Sequence, residues 1–200
     1  MSPRHSAAEA DRTRSAIVDT AVARASVEGL DGLTIGRLAA DLRLSKAGVI
    51  GPFGSKQELQ LAVLRRGAEL FAELVWHPVA DLPAGRTRLL ATCERWYDYL
   101  ASCPLPGGCL ITTASVEWDT RAGPVHDAIA RIQQRWLSTL AAEAEVATRA
   151  RELPARDPAE VAFELNGIAM SLNMAVQLFG DPHAREHAQR GLERVLQRGA

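Results

Sequence analysis

Apolar residues recur along this chain at three- and four-residue intervals from the first helix-like segment to the last, while strand-like alternation is almost absent, which predicts an all-α fold. Behind a polar stretch at residues 1–10 that reads as a flexible arm, Ile17, Val18, Ala21, Val22 and Ala25 line one side of a helix from about Asp11 to Glu28, which Gly29 should end. Thr34 suits the N-cap of a second helix with Ile35, Leu38, Ala39 and Leu42 inward. Ser45 suits that of a third, very short helix, stopped by Gly51-Pro52. Ser55-Lys56-Gln57-Glu58 has capping-box spacing and opens a connecting helix over residues 55–78, with Leu59, Val63, Leu70, Leu74 and Val75 as its apolar positions.

The helical period returns in the second half. Leu89, Leu90, Cys93, Trp96, Tyr97 and Leu100 form one stripe, and Val125, Ile129, Ile132, Trp136 and Leu140 another. Between them Pro104-Leu105-Pro106-Gly107-Gly108 breaks the chain, a short apolar helix follows from Leu110 to Val116, and Gly123-Pro124 breaks it again. Asp157-Pro158-Ala159-Glu160 joins an N-cap, a proline at the first helical position and a capping-box glutamate, starting a helix that runs to about Phe179; Asp181-Pro182 starts the last, to about Gln197. The expected architecture is about nine helices. A three-helix head with helix-turn-helix layout occupies residues 11–56, and a larger helical domain occupies residues 57–200.

Composition sharpens this picture at one place. The formal net charge of the 200 residues is −1, so no global field draws the chain to nucleic acid. The charge is unevenly spread, however: residues 1–66 hold ten Lys/Arg against seven Asp/Glu, a net +3, and the remainder is acidic. The two lysines of the chain, Lys46 and Lys56, both flank the short third helix. Helix starts at Thr34 and Ser55 present unpaired N–H groups and partial positive charge to phosphate, with Lys56 adding a full charge. Lys46, Ala47 and the face from Gly48 through Ile50 to Gly51 would meet base edges in the major groove, where lysine bonds guanine and alanine touches a thymine methyl. Arg37 and Ser45 complete the expected contact set. These features point to double-stranded DNA as a partner.

The three cysteines, Cys93, Cys103 and Cys109, are an odd number with no secretory signal ahead of them, which fits a reducing compartment. With no apolar run approaching the ~18 residues of a membrane span, the expected location is the cytoplasm, with no membrane partner. No catalytic motif is present: Glu143 and Glu145, or Glu117 and Asp119, are spaced so that they face apart on a helix. His183 and His187 lack a third ligand, and Cys103 and Cys109 bracket an ordinary turn, so neither a metal, a cofactor nor an enzyme is expected.

The head resembles that of the tetracycline-repressor (TetR) family of bacterial one-component regulators. The resemblance rests on Ile17, Ala21, Gly29, Leu33-Thr34-Ile35, Leu38-Ala39, Leu44-Ser45-Lys46-Ala47-Gly48-Val49 and Phe53-Gly54-Ser55-Lys56-Gln57-Glu58-Leu59, and covers about residues 12–64. Leu105-Pro106-Gly107-Gly108-Cys109, Glu117-Trp118-Asp119 and Gly123-Pro124-Val125 extend a looser similarity into the second half. Two positions depart from the family pattern, Ile50 where an aromatic is usual and Pro52 where histidine is frequent, and both departures remove expected backbone contacts to DNA. They keep an alternative reading open, a dimeric small-molecule-binding protein whose head no longer binds DNA specifically. Phe53 is expected to plug the core between the third and fourth helices.

The resemblance implies a repressor that binds a palindromic operator as a homodimer and is released by a small-molecule effector. An effector pocket, largely apolar or aromatic, is expected among Phe71, Trp76, Cys93, Trp96, Tyr97, Leu100, Trp118, Trp136, Met170 and Asn173, with Glu117, Asn166 or Asn173 as polar fixing groups. The dimer interface is expected on the last two helices, through Leu165, Leu172, Val176, Leu192, Val195 and Leu196, with Ala169, Met170, Asn173 and Gln177 leaving a second, softer face.

Overall fold

A computed structural model describes residues 3–197, and the backbone among these residues forms nine α-helices and no strand. They are α1 (Pro3–Gly32), α2 (Ile35–Leu42), α3 (Lys46–Ile50), α4 (Lys56–Phe71), α5 (Arg86–Ala101), α6 (Leu110–Glu117), α7 (Pro124–Arg149), α8 (Pro158–Gln177) and α9 (Ala184–Val195). The all-α expectation is met. Residues 1 and 2 of the expected arm lie outside the described residues; from Pro3 onward the backbone is helical, because Ala7-Ala8-Glu9-Ala10 consists of strong helix formers with no breaker. The expected connecting helix also differs in detail. Its α-helical part stops at Phe71, a π-helical turn takes Ala72–Trp76, and a 3-10 turn takes His77–Val79.

The chain divides into two compact units, Met1–Glu69 with Leu105–Ile129, and Leu70–Pro104 with Ala130–Ala200. In the first unit, Ile17, Ala21, Leu30, Leu33, Leu38, Val49, Leu59 and Val63 have no solvent exposure and form the core of the head. Gly29 interrupts α1 with φ 77° and ψ 165°, a conformation that L side chains rarely adopt. After this break Leu30 and Leu33 turn inward and Thr34 opens α2. Helix α6 packs along α1 and against α4, where Gly67 leaves no space: a Cβ there would stand 2.9 Å from Leu110 Cδ2. The loop before α6 approaches more closely still. A Cβ on Gly107 would lie 2.0 Å from the Ser26 carbonyl oxygen, and the Gly107 N–H donates to Ser26 Oγ at 3.1 Å.

In the second unit, α5 lies against both α8 and α9, with Leu89, Cys93, Tyr97, Leu100, Leu165 and Leu192 fully buried. The Tyr97 hydroxyl donates to the Leu165 carbonyl at 3.0 Å. The start of α5 hangs on a buried carboxylate: Glu143 accepts the Gly85 N–H at 2.9 Å and pairs with the Arg88 guanidinium at 2.7 Å, and Arg88 donates onward to the Ala80 carbonyl at 2.8 Å.

Two substitutions probe these joints. Gly107→Ala forces a methyl into backbone atoms that have no rotamer to yield, so urea unfolding should show a loss of ~1–3 kcal/mol or more. Glu143→Ala leaves Arg88 without its partner in a largely buried setting, and the same measurement should show a loss of ~3–5 kcal/mol.

Candidate DNA-binding head and effector unit

The head's helix starts are capped as the residue types require. Thr34 Oγ1 accepts the Arg37 N–H at 3.4 Å, Ser45 Oγ the Gly48 N–H at 3.0 Å, and Ser55 Oγ the Glu58 N–H at 3.1 Å. Only five residues separate Ser45 from Gly51, so α3 is little more than one turn. Lys46 and Ala47 at its start are exposed, Gly48 and Ile50 are half-buried, Gly51 is exposed, and Val49 alone points into the core. The Lys46 stem crosses the beginning of α2: a Cβ on Gly36 would stand 3.7 Å from Lys46 Cε. The Lys46 side chain therefore reaches the first turn of α2 in ordinary van der Waals range of Gly36.

Two basic residues of the expected contact set have partners inside the head. Arg37 pairs with Glu28 at 2.9 Å, though its side chain stays 63% exposed. Lys56 Nζ donates to the Asp31 carbonyl at 2.7 Å while the residue stays exposed, so it keeps two of its three N–H donors for other acceptors. Arg24 bridges α1 and α2, bonding Asp41 and Glu28 together, and the guanidinium holds the Asp41 carboxyl below the usual carboxylate range. Phe53 is half-buried rather than a sealed plug, with the Arg14 guanidinium 5.0 Å from its ring centre.

The expected pocket residues separate between the units. Trp118 belongs to the first unit, where Arg121 lies 4.7 Å over its ring. The others belong to the second, where four aromatic rings meet edge to face. Phe71 is the centre of this cluster, 6.3 Å from Trp96, 5.5 Å from Tyr99 and 4.8 Å from Trp136, and Trp96 lies 5.2 Å from Trp136. Tyr99 joins the cluster from the same helix as Trp96. Trp76 stacks instead under Arg88, at 5.6 Å. Cys93 and Leu100 are fully buried in α5, and burial pushes the Cys93 thiol far up, which keeps it protonated and inert. Met170, Asn166 and Asn173 are half-buried on α8. Four buried side-chain polar atoms of this unit, Thr92 Oγ1, Trp136 Nε1, Thr148 Oγ1 and Asn173 Oδ1, have no hydrogen-bond partner. Each carboxylate oxygen of Glu117 accepts a backbone N–H within the first unit.

On α8 and α9 the expected interface residues are mostly internal. Leu165, Leu172, Leu192 and Leu196 are buried within one chain, and Val176 and Val195 are half-buried. The outward face of α8 is a different stripe: Phe163, Gly167, Ser171, Met174 and Leu178 are exposed at helical spacing, with Phe163 76% and Leu178 71% exposed. Beside it runs a groove of about 510 Å³ between α8 and α9, lined by Glu164, Ile168, Ser171, His187, Arg194 and Val195 among others. The helices close on each other at Gly191, where a Cβ would stand 3.0 Å from Ile168 Cδ1. His183 and His187 have their rings 6.4 Å apart, and no group of three or more potential metal ligands occurs among the described residues. No described helix is long and apolar enough to cross a membrane.

The fold is that of solved bacterial regulators. A TetR-family transcriptional regulator from Streptomyces coelicolor superposes with TM-score 0.78 at 25% identity, over 93% of this chain and 95% of that one. One from Chloroflexus aurantiacus gives TM-score 0.86 at 23% identity, over 95% and 97%. AibR, solved with isovaleryl coenzyme A and operator DNA, gives TM-score 0.77 at 21% identity, over 92% and 98%. No curated protein matches the chain in sequence. The family model for the tetracycline-repressor-like C-terminal domain matches residues 85–192, more than half of the chain. With that domain behind a capped helix-turn-helix head, the chain belongs to the TetR family of transcriptional regulators.

Proposed function

We propose that this regulator is a ligand-responsive repressor that binds a palindromic operator as a homodimer in the cytoplasm and leaves it when a small effector occupies the second unit. The observation that carries the DNA reading is the head's surface: three capped helix starts, with the exposed Lys46 laid across the first turn of α2. Phosphates dock on such N–H groups and the base-reading face follows from that docking. Ala47, Gly48, Ile50 and Gly51 then offer a small, largely apolar reading surface, and Thr34, Arg37, Ser45, Ser55 and Lys56 serve positioning.

Dimerisation is supported by the outward stripe of α8. Phe163, Met174, Leu178 and Phe179 expose large apolar side chains on one chain, and a two-fold axis through α8 and α9 would cover them in a self-complementary four-helix contact. Paired heads would read half-sites one helical turn apart, ~34 Å. For the effector, the fold does not select the chemistry: AibR was solved with an acyl coenzyme A, and a related regulator from Saccharomonospora viridis with choline. In this chain the aromatic cluster of Phe71, Trp96, Tyr99 and Trp136, with unpartnered Trp136 Nε1 and Asn173 Oδ1 in the same unit, favours a largely apolar or aromatic effector with few polar groups.

A mobility shift with the DNA flanking the gene, over rising salt and against a scrambled competitor, tests the reading; sequence-selective binding near physiological salt is expected, and equal, salt-labile binding to both duplexes would favour a disabled head. Lys46→Ala should weaken operator binding by ~1–3 kcal/mol and lower the salt slope by about one. Phe163→Glu should give a monomer by light scattering at micromolar concentration, and a wild-type monomer under those conditions would overturn the dimer.

A further inference from the structure

The break in α1 at Gly29 leaves the peptide groups of Leu30 and Asp31 outside regular helical bonding, and side chains from other helices take up all four of their backbone polar groups. Glu117, the last residue of α6, accepts the Leu30 N–H on Oε2 at 2.8 Å and the Asp31 N–H on Oε1 at 2.8 Å. Gln60 of α4 donates to the Leu30 carbonyl at 2.8 Å, and Lys56 of α4 donates to the Asp31 carbonyl at 2.7 Å. The Asp31 carboxylate pairs with Arg121 at 3.3 Å. The geometry leaves no slack: a Cβ on Gly29 would stand 2.9 Å from both Glu117 oxygens, and Leu30 has no solvent exposure.

A carboxylate at the C-terminal end of its own helix faces the negative end of that helix's dipole, so nothing in α6 favours Glu117 there. Its partners do. The paired N–H groups behind a helix break present the donors of a fresh helix start, and a two-oxygen carboxylate satisfies both at once, in the way an N-cap does from within the chain. What the clamp holds lies directly upstream of the DNA-facing turn. Three residues after Asp31, Thr34 opens α2, and Lys46 lies across that turn at Gly36.

From this arrangement, and resting on the DNA reading above, we infer that Glu117 is a positioning residue for operator binding: contributed from within the segment matched as the C-terminal domain, it fixes the corner between α1 and α2 and thereby the phosphate-docking start of α2. It touches no DNA itself. The role is distinct from that of Lys46 or Thr34, because it acts on where the docking groups stand rather than on what they are.

The test compares wild type with Glu117→Ala and Glu117→Gln on two readouts. Amide hydrogen exchange is followed by NMR at Leu30 and Asp31 without DNA. Affinity is measured for a duplex selected from random sequence on the wild-type protein, beside a scrambled duplex of the same length. Glu117→Ala should expose both amides to fast exchange while amides in α8 and α9 keep their protection, and should weaken the selected duplex by about tenfold, leaving the scrambled duplex unchanged. Glu117→Gln keeps one acceptor oxygen and should protect one of the two amides, with an intermediate loss of affinity. It also keeps the test open if the alanine variant does not fold. Unchanged exchange at both amides, or an equal loss on both duplexes, would overturn the inference. Failure of the wild type to select any duplex would overturn the DNA reading, and the exchange data would still decide whether the clamp exists.

Discussion

The head depends on a helix that has to stop and restart within three residues. Backbone N–H and C=O groups taken away from water must be paired, at a cost of ~1–3 kcal/mol for each that is not. At Gly29 the first helix turns into a conformation that ends its own ladder, and the chain then sends Leu30 and Leu33 into the core. The orphaned groups sit at the rim of that core, where water cannot serve all of them. Their partners come from α4 and α6, which ties three sequence-distant segments to one corner. The packing follows the same constraint: Gly107 and Gly67 are the two points at which the α6 segment must press against backbone and leucine without a Cβ in between.

Much of this molecule is written in local signals. Thr34, Ser45, Ser55 and Asp157 cap the helices they were expected to cap, because an N-cap is decided within three residues of itself. Of the α5 stripe, Leu89, Cys93, Trp96, Tyr97 and Leu100 are buried as the spacing predicts, and Leu90 is half-buried. What the sequence conceals is decided between segments. The roles of Glu117 and Gln60 depend on which peptide groups are left unpaired some thirty to ninety residues away, and no period or cap reports that. The one local trace was the glutamate at the C-terminal end of a short helix, an unfavourable place by its dipole. The outward face of α8 was misplaced for a related reason. Leu165 and Leu172 outrank Phe163 and Met174 in no hydrophobic sense; the positions of α5 and α9 settle which stripe is covered.

Electrostatics in the head are arranged locally rather than globally. With a net charge of −1 over the chain, attraction to DNA must come from the few cations near the docking surface. Several of the head's arginines are occupied: Arg24 by Asp41 and Glu28, Arg37 in part by Glu28, Arg66 by Asp19. Exposed pairs of this kind are worth ~0–1 kcal/mol, so Arg37 can exchange Glu28 for a phosphate at little cost. Lys46 is differently placed: its side chain is exposed, its stem reaches Gly36 in the first turn of α2, and no carboxylate is paired with it among the ion pairs of the described residues.

The same economy bears on how an effector signal would reach the head. Coupling between two sites needs a contiguous element with two arrangements, typically worth ~1–3 kcal/mol. The chain from α5 to α6 passes through Ser102–Cys109, and two contacts with α1 add to the packing of α6 along it: the Gly107–Ser26 approach and the Glu117 clamp. One is a backbone contact with no room for a methyl group, and the other a pair of charge-assisted hydrogen bonds that are either made or lost. Losing the Glu117 pair would release the Leu30–Asp31 corner from which α2 starts.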